Sequence, residues 1–431
     1  MSDWLGGSPH DVALAFGGGA VRYGELARAM GAVVLPAGDG VVGCPAGTDP
    51  VTLVTTVLAA LDRGRPVLVG GSAADLLPRR SDTAPIRGAV SEPSDSLPRD
   101  SDTDARDGSV SEPADLLPAG TELAVLTSGS SGGGARPRVV ARTQASWLAS
   151  AQPLAEVAGL DARDRIAVTG PLHVSMHLYA VLHALWLGAT ATDALSDATV
   201  VHATPTRLAR LLDAEACPPV AIVAGAAMSD AVRARAEARG IRLTEYYGAA
   251  ELSFVLAGGS DGLRPFPGVE VDLRPGPAGE ELWARSAYLA LGTIGGGMLR
   301  RDEAGFATVG DLAERTATGA IRVLGRGDAA ITTAGATVLA EHVEARLCAL
   351  PGVVAAAVVG EPHELLGERV VAVVELEPSA RLDDIAASAR RVLEPAELPR
   401  RWFVRALPRT DSGKVARGAV REALGIAGGG S

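Results

Sequence analysis

Lys414 is the only lysine in the chain; every other member of the 40 Lys+Arg residues is arginine. Arginine replaces a surface lysine in most roles, but its planar fork cannot thread a tight site as a compact, mobile ammonium. A position still written as lysine is therefore a candidate for a task that needs a point charge. A last lysine falling on one chosen position by chance has odds of about one in four hundred at this length. A second chemical feature is the run TSGSSGGGARPRVV, in which Thr127, Ser128, Ser130 and Ser131 offer hydroxyls. Gly129, Gly132, Gly133 and Gly134 let backbone N–H groups approach a ligand closely, which is how a loop grips phosphate. The spacing and the following Lys-Ser/Thr of a Walker loop are absent. Alone, a Gly/Ser loop is more often a connector. Its place directly after the apolar stretch Leu123–Thr127 raises its weight, because loops leaving strand ends form ligand crevices.

Alternating strand and helix patterns surround these residues. Helical patterns cover Tyr23 to Met30, Val51 to Asp62, Ser146 to Val157, Leu178 to Leu187, Pro205 to Ala214 and Ser229 to Arg239. Between them lie short apolar strands at Pro66–Gly70, Leu123–Thr127, Ile166–Thr169, Val200–Ala203 and Ala221–Gly225. This alternation predicts an α/β chain with mixed or parallel sheets covered on both faces. From Gly268 shorter strands and turns (VEVDLRPG, GEELWAR) suit a small β-barrel. After Gly325 a compact α+β unit begins, with helices over Glu341 to Leu350 and Asp383 to Leu393 and strands over Val353 to Val359 and Val370 to Leu376.

Length and composition bound the rest. At 431 residues, two or three domains are expected, and 47% hydrophobic content is ample for a large core. Aromatics make up only 3%, so Ala, Val and Leu must build that core. No apolar run approaches the 18 or more residues of a bilayer span, and the first residues lack a basic flank followed by an apolar stretch, so a cytoplasmic protein is expected. A net charge of −11 argues against non-specific binding to nucleic acid or anionic membranes, and leaves any anionic ligand to local donors. Cys44, Cys217 and Cys348 stand alone in unrelated contexts and read as small buried hydrophobes. Residues 73 to 118 contain a tandem repeat with a 20-residue offset. From Pro78 to Pro118 nine acids face five arginines with almost nothing apolar, which predicts a disordered insertion.

Five segments, taken in order, resemble the signature series of the adenylate-forming superfamily, which includes acyl-CoA synthetases, peptide-synthetase adenylation domains and firefly luciferase. They are TSGSSGGGARPRVV, EYYGAAEL (245–252), TVGDLAE (308–314), GRGDAAITTAGATVLAEHVE (325–344) and LPRTDSGKVAR (407–417). The chain is shorter than most members; small acyl-CoA synthetases and o-succinylbenzoyl-CoA ligases look most similar. The resemblance implies an N-terminal AMP-binding domain over 1–327 and a mobile C-terminal domain over 328–431, with a hinge at Asp328. It implies that Thr127, Ser128, Gly129, Ser130, Ser131 and Gly132, with Arg138, hold the ATP phosphates. Tyr247, within Tyr247-Gly248-Ala249-Ala250, would stack on adenine beside the Gly225-Ala226-Ala227 turn, and Glu251 would bind Mg²⁺, a hard cation suited to carboxylate and phosphate oxygens. Asp311 would accept the ribose hydroxyls with Arg326 close by, and Gly335 would line the pantetheine channel of coenzyme A. Lys414 would reach the oxygens of the forming acyl phosphate.

Two departures touch phosphate contacts. Arg138 stands where the family usually has lysine, and Ala250 where it has threonine. His173 and Met176 fall at the family's acyl pocket, and Tyr179 with the apolar helix after them suggests a hydrophobic acid. His177 and His183 share that helix, and without a carboxylate or Cys at ligand spacing they read as core or pocket-wall residues rather than a metal site. The implied activity is AMP-forming acid:CoA ligation. Left open are a ligase that only thioesterifies a preformed acyl-adenylate, an enzyme that loads an acyl carrier protein, and a non-catalytic scaffold.

Overall fold

The structure is a computed structural model that describes residues 3–72, 76, 117–127, 138–259, 262–276, 278–295, 299–327, 330–333, 336–411 and 413–426. Its centre is the parallel run of strands Arg165–Val168, Val200–Ala203, Val220–Val223 and Arg242–Ala249, with Thr190–Thr192 beside the first. Alternation along these strands sorts their side chains onto two covered faces. Val168, Val200 and Ile222 face the main core with Leu178, Val181 and Leu182 of the helix Ser175–Leu187. Val201, Ala203, Ala221 and Val223 face Leu208, Leu211 and Leu212 of the helix Pro205–Asp213. Burying one such Val or Leu contributes about 1.5–3 kcal/mol.

The same sheet continues on both sides of this run, in parallel from Thr190–Thr192 to Val12–Phe16 and antiparallel beyond Arg242–Ala249. A hairpin of Val12–Phe16 and Gly19–Arg22 closes one side. Strands from Ser253–Gly259 onward extend the other, and the strands Glu270–Gly276 and Gly279–Arg285, in the stretch that suits a small barrel, are hydrogen-bonded to this 15-stranded sheet. A second sheet orders Gly292–Ile294, Arg138–Arg142, Leu123–Thr127, Val67–Gly70 and Val42–Pro45. A third, built from Ala330–Thr333, Ala336–Leu339, Val353–His363, Gly367–Leu376 and Arg401–Val404, carries its own cores. Helices Ala340–Cys348 and Leu382–Val392 cover one face, and Leu407, Val420 and Ile426 pack on the other.

Three expectations change. The helix expected over Ser146 to Val157 is two, Gln144–Leu148 and Ala151–Ala158. Ser150 between them turns its hydroxyl onto the Trp147 carbonyl, competing with the helix ladder, and Pro153 is tolerated in the first turn of the second helix. The strand Arg138–Arg142 directly after the Gly/Ser run was absent from the sequence reading. The insertion expected over 78–118 lies outside the described residues apart from Leu117 and Pro118, and Leu117 is buried against Leu68 and Leu76 rather than solvated. Among the described residues no helix is long and apolar enough to cross a membrane.

Candidate active site

Lys414 sits on a tight loop whose shape is fixed by its own backbone. Thr410 N–H donates to the Lys414 carbonyl at 2.8 Å, Gly413 N–H donates to the Thr410 carbonyl at 2.8 Å, and Arg409 bridges Val415. Gly413 adopts φ +79°, the left-handed region that favours glycine at such a turn. Arg409 anchors the loop to Glu375 at 2.8 Å. The lysine side chain reaches across to the end of the Val220–Val223 strand. A Cβ placed on Gly225, at φ +97°, would stand 3.2 Å from Lys414 Cε and 3.6 Å from Thr204 Cγ2. A side chain at 225 would therefore fill the space the lysine uses. The ammonium thus enters beside the Gly225-Ala226-Ala227 turn and Thr204, which caps the helix Pro205–Asp213.

Glu251 is buried, and Arg138 Nη1 lies 4.0 Å from its Oε1. Arg138 begins the strand that returns from the Gly/Ser run and pairs with Thr127, which ends the strand leading into it. Antiparallel pairing therefore clamps the two ends of the 128–137 connection and points one of them at Glu251. Ser128, Gly129, Ser130, Ser131 and Gly132 lie outside the described residues, as do Asp328 and Gly335. Four positions further on, Arg142 is almost fully buried and donates from Nη1 to the Ala250 carbonyl at 2.5 Å and from Nη2 to the Tyr288 carbonyl. Burial lowers its pKa to about 10, which leaves the guanidinium charged at neutral pH. The residue before Glu251 is thus held by its backbone, whatever its side chain.

Tyr247 follows on the Arg242–Ala249 strand, and its hydroxyl donates to Asp311 Oδ2 at 2.5 Å. Asp311 is itself buried and opens a strand in which it pairs with Arg326. Gly248 and Ala249 close the tyrosine strand, and Ala250 leads from it to Glu251.

His173 lies half-buried before the Ser175–Leu187 helix, where it lines a cavity of about 230 Å³ with Phe16, Leu53, Val168 and Leu172. Its Nε2 lies 3.1 Å from Asp411 Oδ2, in the lysine loop. Met176 is half-buried at the second position of the helix. His177, His183 and His202 are buried, and burial holds all three well below the usual imidazole range, helped at His177 by His173 and Arg207 and at His202 by His183 and His177. His183 reaches the Ala151 carbonyl at 2.9 Å, whereas neither ring nitrogen of His202 has a hydrogen-bond partner among the described residues. Among the described residues no group of His, Cys, Asp or Glu has metal-binding geometry.

The structure therefore brings Lys414, Gly225, Thr204, His173 and Asp411 together, sets Arg138 against Glu251, and joins Tyr247 to Asp311. Sequence reasoning missed Arg142, Thr204, His202 and Asp411. Asp411 stood inside a quoted motif; for Arg142 the only available signal was an arginine alternating into a buried strand.

Comparison with known proteins identifies the family and the fold. Residues 342–414 match the AMP-binding enzyme C-terminal domain. An uncharacterized acyl-CoA ligase of Bacillus subtilis is 29% identical over 69% of this chain and 67% of its own. A probable 2-succinylbenzoate–CoA ligase of Mycobacterium tuberculosis is 30% identical over 64% of this chain and 73% of its own. In fold, ATP-bound MatB from Rhodopseudomonas palustris superposes with a TM-score of 0.75 at 20% identity, over 97% of this chain and 96% of that one. With the ordered segments and the seated lysine, these relationships place the chain in the adenylate-forming superfamily, to which it belongs as an AMP-forming acid:CoA ligase.

Proposed function

We propose that the chain activates a medium-sized hydrophobic carboxylic acid with Mg-ATP and passes the acyl group to coenzyme A, with the residues above in the following roles. The acid's carboxylate oxygen attacks the α-phosphorus of ATP, the bond to pyrophosphate breaks, and an acyl-adenylate remains. Lys414 neutralises charge developing on the reacting oxygens; a donor so placed is worth about 2.7–4 kcal/mol, or 10²–10³ in rate. Tyr247 and Asp311 hold the nucleoside. Thr127, the 128–132 backbone and Arg138 hold the phosphates, and guanidinium suits that task. Glu251 offers a buried carboxylate beside Arg138, a hard oxygen that would hold Mg²⁺, and the ion would supply charge neutralisation beside the phosphates. In the second step the thiol of coenzyme A attacks the acyl carbonyl and AMP leaves. For that step residues 328–431 turn about Asp328 relative to 1–327, withdrawing Lys414 and bringing Gly335 to the pantetheine path.

The observation that carries this reading is the Lys414 side chain packed over Gly225. A chain that only thioesterifies preformed acyl-adenylates, which Ala250 would favour, has no use for an ammonium there. The apolar walls near His173, together with Met176, support a hydrophobic acid. Among relatives, the ligase named for 2-succinylbenzoate makes aromatic acids the first choice of probe.

Acid-dependent exchange of labelled pyrophosphate into ATP, with benzoate, 2-succinylbenzoate and hexanoate as probes, tests the proposal. Exchange that falls 10²–10³-fold in Lys414→Ala is expected. Absence of exchange with every acid, alongside CoA acylation from a synthetic acyl-adenylate, would overturn it.

A further inference from the structure

The contact between His173 and Asp411 joins two parts of the chain that share no sheet, 238 positions apart. His173 lies in the turn that precedes the Ser175–Leu187 helix, where Val174 N–H donates to the Pro171 carbonyl at 3.1 Å. It is also backed by Gly70 at the end of a strand of the second sheet, where a Cβ would come within 3.5 Å of His173 Cβ. The imidazole is thus fixed by the large N-terminal body. Asp411 is fixed differently. It follows Thr410 in the turn closed by the Gly413 to Thr410 hydrogen bond, and the Thr410 to Lys414 bond ties that turn to the lysine backbone. The backbones of Asp411 and Lys414 therefore belong to one hydrogen-bonded turn.

We propose that Asp411 is a positioning residue for adenylation: its carboxylate accepts from His173 Nε2 and so holds the loop where Lys414 overlies Gly225. The inference rests on the adenylating reading above. Beyond that reading, it assigns the seating of the lysine to a contact three residues away from it. The carboxylate is 72% exposed at its side chain, so the contact is a weak one. Weakness suits its task, because the loop must leave once the adenylate has formed, and a strong ion pair would slow the second step as much as it aided the first. An exposed pair of this kind shifts an equilibrium by roughly two- to five-fold.

The test compares the two half-reactions in Asp411→Ala, in His173→Phe and in the double variant. The probes are benzoate, or whichever acid of the panel exchanges fastest, and its synthetic acyl-adenylate. Expected is a two- to five-fold loss of pyrophosphate exchange in Asp411→Ala, with CoA acylation from the acyl-adenylate unchanged or faster. In the His173→Phe background the Asp411 substitution should cause no further loss, as a shared contact requires. The proposal is overturned if exchange in Asp411→Ala equals that of the unsubstituted enzyme, if both half-reactions fall together, or if the loss is the same in both backgrounds. Lys414→Ala, run beside them, separates this failure from the larger one: if it too leaves exchange intact, the adenylating role of the loop itself is wrong.

Discussion

Arg142 donates to the carbonyl oxygen of Ala250 at 2.5 Å, and through that single backbone atom supports the residue next to Glu251. Arg142→Met removes the donors to two carbonyls, Ala250 and Tyr288, and leaves both unsatisfied in the interior. Hydrogen bonds from a charged donor are worth about 1.5–3 kcal/mol each. We expect a loss of about 3 kcal/mol in urea unfolding, together with a reduced rate of adenylation as the Glu251 turn loosens. Unchanged stability would show that the two carbonyls find other partners.

Tyr247→Phe deletes the hydroxyl that donates to Asp311 Oδ2 while keeping the ring. A bond to a carboxylate of that strength corresponds to about tenfold in affinity. The expected outcome is an increase of about tenfold in KM for ATP with little change in KM for the acid, measured by exchange kinetics.

Glu251→Gln keeps the shape of the buried side chain and removes its charge. The Mg²⁺ concentration needed for half-maximal exchange should rise by at least about tenfold, since a neutral amide is a poor ligand for a hard cation. An unaltered Mg²⁺ titration would remove Glu251 from metal binding.

The buried histidines make stability depend on pH. His177 and His183 have pKa values lowered to about 4 and His202 to about 3, chiefly by burial, against an ordinary value near 6.5 in the unfolded chain. Below about pH 6.5 the unfolded chain takes up protons that the folded chain refuses. Stability is therefore full above that value and falls steadily as pH drops toward 4. His202→Leu should flatten this slope. At pH 7 it should cost little or even stabilise, because it removes two buried nitrogens without partners. Urea titrations at pH 7.0, 6.0 and 5.0 measure both effects.

Much of the site was legible because its pieces are short, local and ordered. Lys414 announced itself by composition, and Thr127, Arg138, Tyr247, Glu251 and Asp311 by motif. The strand and helix alternation also located the central parallel run, since buried strands of four apolar residues between turn residues have few other readings. What sequence could not supply were contacts made across the chain. Arg142 and Ala250 are 108 positions apart, and no local pattern marks an arginine that will be buried to hold a carbonyl. His202 sits in an apolar strand, where its residue type says nothing of its missing partners. The break at Ser150 depended on a hydroxyl choosing a backbone carbonyl over water.

Because the one side-chain amine of the chain lies exposed over Gly225, amine-directed reagents meet a single side-chain address, beside the 225–227 turn. Labelling at Lys414, read apart from the N-terminal amine, thus becomes a gauge of whether bound nucleotide covers that side chain, with no need to engineer a tag.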